Sequence, residues 1–384
     1  MKVTLRGALR AAAALCTFVA LAAAPATTGH VRTYYVAADE LDWNYLPTGR
    51  DGMMGMAPMG YAKAYTQRTK GLIGSVYQKA VYHEYTDATF TKRKPRASGD
   101  AYMGLLGPTM YAEVGDTIRI VFKNNGTHSY SMHPHGVLYA KTSEGSSYGG
   151  AAVQAPDGNS VAPGHTFTYV WEVPERAGPG PNDPSSIVWP YHSHVDERRD
   201  TNSGLIGAIV VTRAGMARDD GTPKDVDRNF VVVFDIFDEN HSWFIDQNLR
   251  RFTKVHTMKQ RLDGGPIGPD GKPDPIMGTG LLNANFRSTM NGYQYANMPP
   301  PTMKVGEHVR WYVMSIGEAF NFHTPHWHGN TVLFNGNRVD VMALMPAASL
   351  TADMVPDNAG LWMFHCHVSD HMEGGMVAMY RVTN

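Results

Sequence analysis

His365-Cys366-His367-Val368-Ser369-Asp370-His371-Met372-Glu373-Gly374-Gly375-Met376 decides how the rest of the chain is read, and it contains the only cysteine beyond the first twenty residues. A trigonal blue-copper site takes one thiolate, two imidazoles and a long axial thioether. Cys366, His371 and Met376 offer three of these four donors at intervals of five. The fourth donor must come from elsewhere. On a strand, side chains alternate between faces, so His365 and His367 project away from Cys366 and are free to serve a second metal centre.

Three more histidine strings lie upstream: His133-Pro134-His135-Gly136, His192-Ser193-His194 and His323-Thr324-Pro325-His326-Trp327-His328-Gly329. Ten of the seventeen histidines fall in the four strings. One His-X-His pair on a strand is more often a surface or satisfied core feature than a metal site. Four strings, one with a thiolate inside it, point to metal binding.

Around these strings the chain reads as all-β. Short β-rich runs recur at Thr117 to Phe122, Thr166 to Val173, Leu205 to Val211, Phe230 to Phe234, Val309 to Val313, Leu361 to Phe364 and Met376 to Val382, and long amphipathic helical stretches are scarce. Punctuation by Gly, Pro, Asn and Asp predicts Greek-key β-sandwiches. The halves echo each other: Val114-Gly115-Asp116 precedes a strand and a histidine string, as Val305-Gly306-Glu307 does. The expected organisation is a tandem pair, residues 27–213 and 229–384, joined by a turn-rich linker at 214–228 that holds Asp219-Asp220-Gly221. Gly264 to Pro275 reads as a surface loop of the second half.

Residues 1–26 read as a secretory signal, with Lys2, Arg6 and Arg10 ahead of an apolar run from Ala11 to Ala24 and a small-residue cleavage site at Ala24-Pro25-Ala26. The apolar run is too short and alanine-rich for a membrane span. Removing it takes Cys16 away and leaves a single thiol, so no intrachain disulfide can form. A secreted or periplasmic location is expected, and a lone thiol suits a copper thiolate, which a second cysteine would contest. With 34 basic and 35 acidic residues and no long basic run, the chain lacks an electrostatic footprint for nucleic acid.

The four strings, in order, resemble the copper motifs of the multicopper oxidases. Within that family Tyr34-Tyr35-Val36-Ala37-Ala38, Glu113-Val114-Gly115-Asp116-Thr117-Ile118-Arg119 and Phe234-Asp235-Ile236-Phe237-Asp238-Glu239-Asn240 resemble segments of ceruloplasmin-like cupredoxin domains, here in a two-domain, small-laccase-type arrangement. The resemblance implies one type 1 copper on His323, Cys366, His371 and axial Met376. It implies type 2 copper on His133 and His326, and a type 3 pair on His135, His192, His194, His328, His365 and His367. Ser193 stands where a type 1 cysteine would be in the first half, so that half contributes only to the cluster. In two-domain relatives the cluster is completed between subunits of a ring, which implies a homotrimer with head-to-tail contacts.

The resemblance further implies four one-electron oxidations of a small reducing substrate coupled to reduction of O2 to water. Phenols and aromatic amines, as in a laccase, are the leading expectation for that substrate. The alternatives are a metal oxidase acting on Cu(I) or, less well supported, Fe(II), and a non-catalytic copper-binding electron-transfer protein. Asp370 matches the iron-site aspartate of ceruloplasmin, but its Glu and His fall at Asn283 and Ser288. Met53, Met54, Met56 and Met59 form a thioether cluster that suits Cu(I), although methionines filling an irregular surface contact account for it more simply. Met258, Met342, Met345 and Met354 read as core or rim residues. Glu144 matches a proton-relaying acid near type 2 copper, with a solvated loop carboxylate as the competing reading. Tyr139 matches a redox-active tyrosine, with a packed tyrosine as the competitor.

Overall fold

The computed structural model describes residues 29–148, 157–255, 280–317 and 320–384. The expected signal segment with Cys16, the loop at Gly264 to Pro275, and Met258 lie outside the described residues.

Strands dominate, and their amino-acid pattern says why. In Thr117–Asn124 the side chains of Ile118, Ile120 and Phe122 are fully buried while Arg119 is exposed, the period-two alternation of a sheet with one face on a core. Val309–Ser315 is buried at every position. It is covered on one face by its own half's second sheet and on the other by the strand Ser186–His192 of the first half, where Tyr312 Oη and Ser186 Oγ lie 2.6 Å apart.

Strands up to Thr212 form two sheets. One orders Val76–Tyr85, Val31–Asn44, Thr117–Asn124, Thr166–Glu172 and Leu138–Tyr139; the other orders Thr109–Glu113, Ile206–Thr212, Ser186–His192 and His133–Pro134. From Arg228 the plan repeats. A six-stranded sheet runs Phe286–Met290, Arg228–Asp238, Val309–Ser315, Ser349–Met354, Val332–Phe334 and Asn337–Val339, and a four-stranded sheet runs Thr302–Lys304, Val377–Thr383, Gly360–Cys366 and Pro325–Trp327. In each half the long first strand pairs parallel to a later one, Val31 opposite Thr117 and Arg228 opposite Val309. This is a repeated all-β, cupredoxin-like sandwich.

The two halves are fused rather than loosely strung. One continuous apolar core contains Tyr45, Tyr77 and Val210 of the first half with Phe230, Trp311 and Phe364 of the second. Two polar devices lock the contact. Buried Lys79 Nζ meets Glu239 Oε1 at 2.5 Å, and the same oxygen accepts from Tyr45 Oη at 2.5 Å. Arg310, 1 % exposed, spreads its guanidinium over Asp353 (2.6 and 2.8 Å), Asp225 (3.1 Å) and the hydroxyls of Ser185 and Ser186 (2.7 and 2.8 Å). One side chain thus ties the first half, the connecting segment and the second half together.

Candidate metal centres

The strand Gly360–Cys366 carries Cys366 into the core at its last position, and the short helix Ser369–Glu373 turns His371 back toward it. His323, two residues ahead of the strand Pro325–Trp327, completes a triangle whose sides are 3.2 Å (His323 Nδ1 to His371 Nδ1), 3.6 Å (Cys366 Sγ to His371 Nδ1) and 3.8 Å (Cys366 Sγ to His323 Nδ1). A triangle of that size has a centre about 2 Å from each corner, close to metal–nitrogen and metal–thiolate bond lengths. Cys366, His323 and His371 are 0 %, 2 % and 7 % exposed. Met376 is buried, and its backbone fixes the motif: Cys366 N–H donates to Met376 O at 3.1 Å, and Met376 N–H to His371 O at 2.9 Å.

Neighbouring groups prepare each donor. His323 Nε2 lies 3.2 Å from Asn321 Oδ1, and Asn321 Nδ2 donates to Asp235 at 2.6 Å, which leaves Nδ1 of His323 as the free donor. Burial, then the facing His371 ring, pushes the His323 pKa down to about 3; burial brings His371 down to about 4, against a smaller opposing pull from Asp370. Both rings are therefore neutral and ready to ligate. Burial raises the Cys366 thiol, while Thr324 N–H points at Sγ from 3.4 Å. A soft sulfur with two imidazoles in a closed trigonal pocket fits copper.

The remaining eight motif histidines form two matching quartets. In the second half, His328 Nε2 and His326 Nδ1 each lie 3.1 Å from His365 Nε2, and His367 packs 5.2 Å from His326, ring centre to ring centre. In the first half, His135 Nε2 and His192 Nε2 are 3.1 Å apart, with His133 and His194 at 5.6 and 5.5 Å from His192, ring to ring. A metal about 2 Å from each nitrogen fits such 3.1 Å pairs. The tautomers are set alike in both: His192 Nδ1 faces Ser193 O at 3.0 Å and His365 Nδ1 faces Cys366 O at 2.8 Å, so Nε2 is free. Burial and neighbouring rings hold His135 and His365 at about 4 and His192 at about 3. Among the described residues the ring contacts join histidines within each quartet and none crosses between them.

The softer candidates also find places. Glu144 is 8 % exposed, so the solvated-loop reading does not hold; its backbone carbonyl accepts from His133 Nδ1 at 2.7 Å and its carboxylate pairs with Lys141. Tyr139 packs edge-on against His133 at 6.0 Å. Asp370 and His371 line a cleft of about 350 Å³ with Asn283, Ser288, Phe286 and Phe322. Met342 and Met354 are core and Met345 is exposed. Met53, Met54, Met56 and Met59 are all exposed, on a loop whose Gly52 N–H donates to Tyr295 O at 2.8 Å. Tyr295 in turn packs on Tyr65, a wall of the same cleft.

Two family profiles, both described as multicopper oxidase, match residues 84–215 and 271–384. Human ferroxidase HEPHL1 is 39 % identical over 374 residues, 96 % of this chain and 30 % of that protein. Human ceruloplasmin is 38 % identical over 361 residues, 92 % of this chain and 32 % of its own length. The chain thus spans about a third of the curated relatives it matches. A solved structure described as a multicopper oxidase superposes with a TM-score of 0.54 at 19 % identity, covering 92 % of this chain and 89 % of that one, and it supports the fold. No helix among the described residues is long and apolar enough to cross a membrane.

Proposed function

The chain belongs to the multicopper oxidase family, and on that premise we propose that it is a metal oxidase, drawing single electrons from a low-valent metal ion beside His371 and passing them to dioxygen. Support for a metal rather than a phenol comes from two sides. The relatives above include a named ferroxidase, and the cleft against His371 presents the Asp370 carboxylate, a negative charge that attracts a cation, next to an imidazole proposed to ligate copper. The cleft is the observation that carries the proposal.

His323, Cys366, His371 and Met376 would hold type 1 copper. His133 and His326 would hold type 2, and His135, His192, His194, His328, His365 and His367 the type 3 pair. Copper there supplies one-electron transfer and the reduction of dioxygen, with four protons and four electrons, to two waters. The protein's part is placement. Cys366 is covalently flanked by His365 and His367, which would give a short bonded route between the two centres. His365 also pairs across the sheet with His326. Glu144, held beside His133, is the proposed proton donor, and Tyr139 the proposed neighbouring redox group. Because each quartet is half a cluster, we take the assembly to be a head-to-tail homotrimer, with residues 27–213 of one copy facing 229–384 of the next. Export to the cell exterior or periplasm goes with this reading.

Which metal is oxidised follows from what lines the cleft. Asn283 and Ser288 stand where a full iron site would place a carboxylate and an imidazole, while four exposed thioethers sit on a loop bonded to Tyr295, which packs on the cleft-lining Tyr65; an incomplete iron set and soft thioethers favour Cu(I) over Fe(II). A laccase-like role remains the second reading, since Phe286, Phe320 and Phe322 give the cleft an aromatic wall. Oxygen uptake by the copper-loaded protein with Cu(I), Fe(II) and a phenol separates them. The Asp370→Asn and Met53/Met54/Met56/Met59→Ser variants should lose kcat/KM for metal ions and keep it for the phenol. The reverse pattern would return the laccase reading to first place.

A further inference from the structure

The two halves repeat the same backbone hydrogen bonds around their histidine strings, so positions can be matched through the bonds they make. Thr324 N–H points at Cys366 Sγ, and Ser131 N–H donates to Ser193 Oγ at 3.0 Å. Cys366 N–H donates to Met376 O, and Ser193 N–H to Leu205 O. Met376 N–H donates to His371 O, and Leu205 N–H to Asp200 O. Ser193, Asp200 and Leu205 therefore stand where the second half has Cys366, His371 and Met376. The first half has replaced a thiolate and an imidazole by a hydroxyl and a carboxylate.

That carboxylate is fully buried and heavily bonded. Asp200 Oδ2 accepts from Ser193 Oγ (2.6 Å), Val195 N (3.0 Å) and Asp196 N (3.2 Å), and Oδ1 accepts from Trp243 Nε1 (2.8 Å). Ser193 lies between His192 and His194. A further link runs outward, because His194 N–H donates to the Ser131 hydroxyl at 2.9 Å while Ser131 N–H donates to Ser193 Oγ. Trp243 comes from the segment after Arg228–Asp238, in the second half, and stacks on His128 at 4.3 Å. Burying an anion this deeply is unfavourable unless donors satisfy its oxygens. Four donors converge on it, two from the backbone beside His194, one from the residue between the histidines and one from the other half.

We propose that Asp200 is a positioning residue for the copper cluster: its carboxylate occupies the vacated type 1 site of the first half and holds His192 and His194 in ligating geometry, as copper-bound Cys366 and His371 do for His365 and His367. The idea rests on the multicopper reading above. Loss of an outer hydrogen-bond partner typically weakens metal binding by about ten- to a hundredfold. Asp200→Asn keeps the shape, but its amide can serve Ser193, Val195 and Asp196 only by turning its NH2 toward the Trp243 N–H. Trp243→Phe removes that donor, so the double variant should recover much of the loss. Ser193→Ala cuts the link at its other end.

The test titrates copper into metal-free protein and follows the type 1 blue band and the type 2 and type 3 signals separately. Asp200→Asn and Ser193→Ala should need about ten to a hundred times more free copper to fill the cluster, with the blue band filling as in wild type, and Asp200→Asn/Trp243→Phe should fill closer to wild type. If Asp200→Asn does not fold, Ser193→Ala carries the test alone. Cluster affinities within about twofold of wild type, or equal weakening of both kinds of site, would overturn the inference, since a merely structural carboxylate predicts one or the other. Wild-type protein that takes up copper only at the blue site would instead sink the multicopper reading, and this inference with it.

Discussion

Acid should destabilise the metal-free protein through the buried histidines of its candidate metal centres, and the size of the effect follows from their pKa values. His192 and His323, 4 % and 2 % exposed, are both held near pKa 3 by burial and by facing imidazoles. In the unfolded chain each returns to about 6.5. The folded pKa is the lower one, so the unfolded state binds protons first as pH falls. Stability is intact above about pH 6.5 and is lost progressively down to about pH 3. Between pH 7.5 and pH 5 the loss is about 2 kcal/mol per residue, or about 4 kcal/mol for the pair. Urea unfolding of copper-free protein at those two pH values measures it, and His192→Asn, which has no titrating ring, should show an acid loss smaller by about 2 kcal/mol. Equal acid sensitivity in the variant and wild type would refute the claim that this ring is held neutral by burial.

Three other outcomes are expected. Arg310→Met strands Asp225 and Asp353 at the junction of the halves and should cost about 3 kcal/mol in chemical denaturation; a loss under about 1 kcal/mol would mean the clamp is solvated like a surface pair. Cys366→Ser should abolish the blue absorption while the cluster still fills with copper, and oxygen uptake with every donor should fall to background. A subunit carrying His192→Ala/His194→Ala, mixed and reassembled with one carrying His365→Ala/His367→Ala, should regain part of the oxygen uptake that each lacks alone. Two inactive proteins that stay inactive after mixing would place the cluster within one chain.

The histidine strings that the structure gathers into clusters were legible because their information is local. Cys366, His371 and Met376 are bound to the blue-site pattern by short covalent spacing, and His365 and His367 by their adjacency to Cys366. The sandwich architecture was legible in alternating runs such as Thr117–Asn124, and the repeat in Val114-Gly115-Asp116 against Val305-Gly306-Glu307. The long strands Val31–Asn44 and Val76–Tyr85 do not stand out in the sequence, because buried tyrosines and alanines share them with Lys79 and Glu84 and blur the alternation. Asp200 escaped notice for a different reason. It lies seven residues after Ser193, whereas His371 lies five after Cys366, and only the bonds to Met376 and Leu205 reveal the match. Trp243, Arg310 and the Lys79–Glu239 pair depend on contacts between halves that no single stretch of sequence encodes. The donor was the least legible part: phenols led on general access to a blue site, and the relatives together with the Asp370 cleft shift the weight to metal ions.

The proposed function joins a blue copper to a three-copper cluster and uses both to reduce dioxygen. Counting copper in the fully loaded protein while oxygen uptake is followed with Cu(I) or Fe(II) as donor tests it most directly. About four coppers per chain and about four donor ions oxidised per O2 consumed, without release of peroxide, are expected. A single blue copper with no oxygen uptake would contradict it and leave an electron carrier in its place.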